Sequence, residues 1–414
     1  MARIRRRSAM AILRRQSLVI GLALSLAAPA CCFADDYDFY SNWPTHVVAS
    51  DGTDFGLAVL YQYDVNNFSH DEGRFEDAST ARRKYLGLFL RKPGVYDAIV
   101  QYDFQARLWA DAFVRVRSSG VLGQDLGNFR LGYSKTPVGF EGVTSSSATT
   151  FIETALPTQA VWEGRRAGLD WAWIRPHFVL NIGDYFWRKD FDGNNPGHTW
   201  AGRAAWVPLN EQGKVLHLGL SASREELDWA NEGSVPPTAR LRARPEDGLS
   251  PVRLVDSGNL PYSKSVDRQG FEALWIEGPW SLQGEYLQAQ VDRSLGKRDY
   301  KVNGYYLFTT WTLTGESRYY SDGNVADRRY NARNLQVIRS TSPWGAVELA
   351  VRYSELDLND GSITGGKEHD WTAGANWYLG EHLKFQANYV WAFSDRGKLQ
   401  VNPHIFELRA QVYF

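Results

Sequence analysis

DWTAGANWYLGEHLKFQANYVWAF, residues 370–393, reads as two strands and the turn between them. In its first half Trp371, Ala373, Ala375, Trp377 and Leu379 alternate with Thr372, Gly374, Asn376 and Tyr378. In its second half Leu383, Phe385, Ala387, Tyr389, Trp391 and Phe393 alternate with Lys384, Gln386, Asn388 and Val390. Successive side chains of a strand point to opposite faces, so period two predicts extended chain with one apolar and one polar side. Gly380-Glu381-His382 is the tight connection. Strands of about 9–12 residues with aromatics near their ends suit a transmembrane barrel, where one face meets lipid and the other the lumen.

The same rhythm extends outward from this hairpin. Val347, Leu349, Val351 and Tyr353 oppose Glu348, Ala350, Arg352 and Ser354. The closing stretch FELRAQVYF sets Phe406, Leu408, Ala410, Val412 and Phe414 against Glu407, Arg409, Gln411 and Tyr413, and it ends on an aromatic suited to an interface. Helical periodicity is nearly absent. Short turns at 92–94, 175–177, 277–280, 342–345 and 380–382 alternate with long polar connections at 64–82, 136–165, 188–198, 223–267, 318–332, 356–369 and 394–402. Short turns on one side and long loops on the other are the barrel pattern. Seventeen candidate strands result, including one near 333–341, while a barrel with both ends on one side needs an even number. One candidate between 190 and 310 is therefore surplus, and the expected fold is an all-β, 16-stranded antiparallel transmembrane β-barrel. The segment 230–265, rich in Pro and Arg, reads as a long exposed loop.

Composition narrows the alternatives. The chain has 414 residues and is 14% aromatic, with 16 Trp and 21 Tyr. Residues 1–34 combine a basic start, an apolar run and a small residue at Ala34, which predicts a cleaved signal peptide and a barrel domain over 35–414. Its removal takes away six Arg, both Cys and both Met, leaving 40 basic against 47 acidic residues, a net of −7. That balance argues against a nucleic-acid partner. No later stretch is long and apolar enough for a membrane helix. A soluble secreted β-sandwich also alternates, and what separates the two readings is the number of strands.

GYYLFTTWTLTGESRYYS (304–321), WGAVELAVRYSELDLND (344–360), WTAGANWYLGEHLKFQANYV (371–390) and FELRAQVYF (406–414) resemble the C-terminal half of the phosphate-selective porins O and P. FRLGYSKTPVGFEGVTSSSATTFIETALPTQAVWEGRRAGLDW (129–171) is similar to the segment around that family's constriction loop. The resemblance implies a trimeric barrel in the bacterial outer membrane, bathed by its lipids, whose third long loop, here about 136–165, folds into the lumen. It also implies passive diffusion of small inorganic anions such as phosphate or polyphosphate, without cofactor or catalysis.

A channel needs a narrowing and side chains whose charge favours one ion sign. Alternation places Arg115, Arg117, Arg130, Arg203, Arg318, Arg352, Lys384 and Arg409 on polar faces, while Lys135 and Arg165-Arg166 bracket the loop. These are the candidate anion-guiding residues, although each could equally pair with a wall carboxylate. Thr144, Ser145, Ser146 and Ser147 could donate hydroxyls within the loop. The family pattern has a basic residue where this chain has Ser147 and another where it has Thr154. The loop interior holds Glu141, Glu153 and Glu163 and no cation, so a general or cation-tolerant channel is the alternative. Enzyme signals are thin. GSITGGK (361–367) is followed by Glu368 rather than the Ser or Thr of a phosphate loop, and the eight His show no metal-ligand spacing.

Overall fold

Alternation like that of 370–393 recurs in sixteen long strands: β1 Asp54–Ser69, β2 Ala78–Lys92, β3 Tyr96–Asp103, β4 Leu108–Arg117, β5 Asn128–Lys135, β6 Arg165–Arg175, β7 Phe178–Trp187 and β8 Thr199–Glu211, then β9 Lys214–Glu226, β10 Ser263–Glu277, β11 Trp280–Arg293, β12 Tyr300–Thr312, β13 Ala346–Asp360, β14 Ile363–Leu379, β15 Leu383–Asp395 and β16 His404–Tyr413. The computed structural model describes residues 45–187, 197–229, 233, 235–321, 335–340, 342–397 and 400–414. The expected signal peptide lies outside them. Each strand pairs antiparallel with the next, and β1 pairs with β16 from Leu60↔Tyr413 to Ser69↔His404, so the sheet closes into a barrel. Below that seam the free edge of β1 is covered by His46–Val48, which pairs with Asp54–Gly56. Closure leaves none of the sixteen described strands at an open edge of the sheet, which a bilayer core would not tolerate.

The two faces divide as their chemistry requires. Phe55, Leu57, Leu86, Leu88, Trp371 and Phe406 point outward, where lipid would receive them, and Trp280 stacks on Trp311 at 5.0 Å. Asp64, Gln62, Glu348, Arg352, Lys384 and Arg409 point inward and are buried.

Much of the lumen is filled. From the end opposite the termini (the loop end) the connection 136–164 enters, carrying short helices Phe140–Val143 and Leu156–Val161. The β9–β10 connection enters beside it. Leu156, Val161, Leu241, Val255 and Leu260 pack with Leu287, Val302 and Leu356 of the wall. Each such residue contributes roughly 1.5–3 kcal/mol of burial, which is why these segments leave solvent. From the terminal end the β12–β13 connection also turns inward, pairing Tyr319–Tyr320 with Leu335–Gln336.

Four expectations are corrected. The surplus strand is 333–341, not one between 190 and 310; its apolar run packs inside the barrel, and composition alone cannot separate that from a strand. Of the segment 318–332, the described residues 318–321 lie at the terminal end rather than in an outer loop, and the others fall outside the described residues. The described part of 230–265 is only partly exposed, since Leu241, Ala243, Leu254 and Val255 are fully or almost fully buried inside the barrel while Arg240 and Arg242 beside them stay exposed. The connections near 64–82 and 356–369 are mostly strand, because ladders continue above the bilayer where lipid no longer demands an apolar face.

Candidate functional site

A loop inside a barrel must satisfy its backbone there, because little water reaches it. Residues 136–164 do so by presenting carbonyls to donors on the wall. Gln62 donates to Ser146 O (3.1 Å), Gln411 to Ser147 O (3.0 Å), Lys384 to Thr149 O (2.6 Å) and Asn376 to Thr150 O (2.9 Å). Arg409 reaches Ile152 O at 2.7 Å, and Arg352 donates twice to Glu153 O at 3.1 Å. At the loop's start the N–H groups of Phe140 and Glu141 donate to the Glu285 carboxylate at 2.5 and 2.9 Å. The wall's alternating polar residues therefore hold the loop as well as facing a lumen.

Most of the wall cations named from sequence are also engaged by carboxylates. Arg115 and Arg117 share Asp97 at 2.9 and 3.4 Å. Arg130 pairs with Asp170 at 2.6 Å, Arg203 with Glu272 at 2.6 Å and Arg318 with Glu348 at 3.2 Å. Arg166 meets Glu163 at 3.4 Å and also bonds Glu225. Arg352 pairs with Glu246 at 2.6 Å, and Arg409 grips both oxygens of Asp64 at 2.7 Å. Arg409 thus ties the last strand to the first, and its partner is Asp64 rather than its neighbour Glu407.

The loop glutamates are withdrawn in the same manner. Glu141 accepts from Ala155 N–H at 3.0 Å and lies 3.4 Å from Arg352. Burial pushes its carboxyl up from the usual range. Glu163 meets Arg268 at 3.0 Å. Glu153 lies 3.1 Å from Arg82, 4.0 Å from Arg83 and 3.9 Å from Arg409. Burial alone would raise the Glu153 carboxyl, but these three guanidinium groups outweigh it and hold it at about 2. Because that value is below the ordinary 4.5, the clamp stabilises the fold fully above about pH 4.5, and its contribution fades below that and is lost as pH falls through about 2. Neutralising Glu153 as Glu153→Gln should leave the three arginines under-compensated. The expected result is a several-fold rise in anion over cation permeability, read from reversal potentials in a planar bilayer.

An open cavity of about 210 Å³ runs beside the loop, along β1–β5 and β16. Arg130, Lys135, Arg165, Asp111 and Ser145–Ser147 line it at the level of the loop. Lys135 donates to Gly142 O (2.9 Å) and Thr144 O (2.5 Å) and sits 5.1 Å from the Trp162 ring centre. Arg165 forks onto Asp111 at 3.1 and 3.2 Å. Ser145 and Ser147 hydroxyls are 2.9 Å apart, and Thr144 donates to Phe140 O. The structure thus gathers Arg130, Lys135 and Arg165 around one passage, while Arg352 and Arg409 lie behind the loop.

Two groups of cations escaped the alternation rule. Arg82 is an extra residue in β2, where the register with β1 slips between Gln62↔Arg83 and Tyr63↔Ala81. Such a bulge re-aims side chains, and it turns consecutive Arg82 and Arg83 toward Glu153. Adjacent basic residues in ARRKY were the available signal. The second group is Arg240, Arg242, Arg244 and Arg253 on the infolded β9–β10 connection. Arg240 pairs with Asp256, while partial burial and then Arg244 and Arg242 hold Arg253 down to about 10. Exposed Arg240 and Arg242 alternate with buried Leu241 and Ala243, a strand-like pattern legible in RLRAR.

Comparison with known proteins adds the lineage. The profile of a family described as phosphate-selective porin O and P matches residues 55–414. An uncharacterised protein of Caulobacter vibrioides is 30% identical over 259 residues, 60% of this chain and 50% of that one. Porin O of Pseudomonas aeruginosa is 28% identical over 218 residues, 47% of each chain. The chain thus spans about half the length of these curated relatives. Outer-membrane expressed OmpT of Vibrio cholerae superposes with a TM-score of 0.55 at 10% identity, covering 89% of this chain and all of that one. Its in-vitro folded trimer form gives 0.54 at 8%, covering 87% and 99%. At such identity these structures speak for the fold alone.

Proposed function

The chain belongs to the phosphate-selective porin O and P family and is an outer-membrane porin, and on that premise we propose that its channel passes small inorganic anions in preference to cations. The observation that carries this reading is the balance of charge at the passage beside the loop. Arg130, Lys135 and Arg165 meet two carboxylates there, Asp170 on Arg130 and Asp111 on Arg165, which leaves one cation in excess, while Glu141, Glu153 and Glu163 are turned into the wall. In a narrow opening with low-dielectric walls, fixed charge concentrates the opposite ion, so local placement outweighs the chain's net −7.

The remaining cations extend the field toward the loop end. Arg242, Arg244 and Arg253 lie close enough to repel one another, and Arg244 in turn feels Arg82 beside Glu153. An oxyanion entering there would meet guanidinium groups in succession before reaching Lys135 and the Ser145–Ser147 hydroxyls. Guanidinium forks and hydroxyl donors match tetrahedral oxyanions, which supports phosphate as a permeant solute. Arg115, Arg117, Arg166, Arg352 and Arg409 serve on this reading as paired wall residues that shape the passage. The competing reading, a cation-tolerant channel, rests on the loop glutamates, and each of these is matched by at least one arginine.

The deciding measurement is the reversal potential of the purified protein in a planar bilayer under a KCl gradient. An anion-selective sign is expected, with chloride current reduced by added phosphate; a cation-selective sign would overturn the proposal. A homotrimer is the proposed assembly, supported by the family and by the trimeric OmpT neighbour.

A further inference from the structure

The segment entering from the terminal end is fastened by a buried polar chain that the anion path does not use. Tyr320 OH lies 2.6 Å from His217 Nδ1, and His217 Nε2 lies 2.8 Å from Glu272 Oε1. Arg203 closes the chain, its Nε donating to the same Glu272 oxygen at 2.8 Å. His217 and Glu272 are buried on β9 and β10, whereas Tyr320 belongs to the inserted segment. The ring of Phe140, from the constriction loop, packs edge-on against His217 at 5.2 Å, and Tyr320 does the same at 5.8 Å. Two residues away, Arg318 pairs with Glu348 and also bonds the Thr150 hydroxyl of the loop.

What this fastening positions can be read from the cavity. Tyr319–Tyr320 pairs with Leu335–Gln336, and Gln336 through Arg339 line the open passage on the terminal side of Ser145–Ser147. Val337 and Ile338 pack with Leu60, Ala148 and Tyr413, while Arg339 lies 5.0 Å from the Tyr319 ring centre. The passage is therefore bounded at two levels, first by the constriction loop and then by residues 336–339.

We propose that Tyr320 and His217 form a latch that holds residues 336–339 in the passage as a second narrowing, so that releasing it widens the terminal-side chamber while the barrel and the constriction loop persist. The physical basis is asymmetry of cost. A buried hydroxyl or imidazole that loses its partner is left with a desolvation penalty, so the latched and released arrangements are discrete rather than graded. Neither residue touches the permeant ion; both act by positioning the segment. The proposal rests on the reading of this chain as a channel.

The test uses Tyr320→Phe, which keeps the ring and removes the hydroxyl, and His217→Gln. Resistance of the folded band to SDS below boiling checks that each barrel has formed. Single-channel recordings of Tyr320→Phe are expected to show added conductance levels above the wild-type level, with the double variant no different from either single one. Because the chain after residue 34 lacks cysteine, Gln336→Cys supplies an independent readout. A membrane-impermeant thiol reagent should label it at least severalfold faster in the Tyr320→Phe background. Wild-type conductance levels together with an unchanged labelling rate would overturn the latch. Absence of any conductance in wild type would instead overturn the channel reading, and the labelling rate would still decide the latch.

Discussion

Replacing Arg352 by Ala is expected to lower the temperature at which the folded barrel converts to the unfolded band, and to give a larger and noisier single-channel conductance. Arg352 is fully buried, pairs with Glu246 at 2.6 Å and sits 4.2 Å from the Phe151 ring centre. It also donates twice to Glu153 O, so it joins the wall, the infolded β9–β10 connection and the constriction loop at one point. Removing one partner of a buried pair leaves an uncompensated charge and typically costs on the order of 3–5 kcal/mol. Here the site is more acidic than a single pair. Glu368 and Asp370 are buried on neighbouring β14, and no side chain among the described residues hydrogen-bonds their carboxyl oxygens. Arg352→Lys should fall between wild type and Ala, because an ammonium cannot reproduce the planar fork across Glu246 and the loop carbonyl. An Ala variant with wild-type heat stability and conductance would show that the loop is held without this residue.

The second large effect concerns ion preference. Lys135→Glu changes the charge beside the passage by two units. At about 6 Å in fully aqueous surroundings each unit is worth roughly 0.7 kcal/mol, so the swap shifts the relative energies of passing anions and cations by at least about 1.4 kcal/mol each. The two shifts have opposite sign, so together they correspond to roughly a hundredfold change in the permeability ratio before screening, enough to remove or invert an anion preference. The measurement belongs at about 0.1 M salt, since at 1 M the screening length shrinks to about 3 Å. Ser147→Lys adds a cation on the same cavity wall and should move the reversal potential the opposite way. A shift of the same sign in both variants would indicate loop distortion rather than charge.

Much of the barrel was legible from local chemistry. Alternation in 370–393 and 406–414 reports which residues face lipid, because a bilayer imposes its preference on every second position. Strand number was recoverable from the parity of a closed sheet, yet the surplus strand was misplaced. Leu335, Val337 and Ile338 are apolar because they pack inside the lumen, and a short apolar run looks the same in either place. The loop's inward path was legible only through the family's sequence pattern, since nothing in its Ser- and Gly-containing local chemistry dictates direction.

The sequence by itself determined the period, the lipid-facing side, the closing strand and the inventory of charges. Tertiary structure alone decided which charges remain available. Arg409 faces the lumen as alternation requires, but its distance to Asp64 depends on the first strand meeting the last. Glu153 sits in a loop that reads as acidic, and a bulge in β2 surrounds it with Arg82 and Arg83. Pairing depends on inverse distance across the barrel, between residues that sequence separates by as many as 345 positions. No local pattern encodes that distance, so the polarity of the passage is a property of the closed fold.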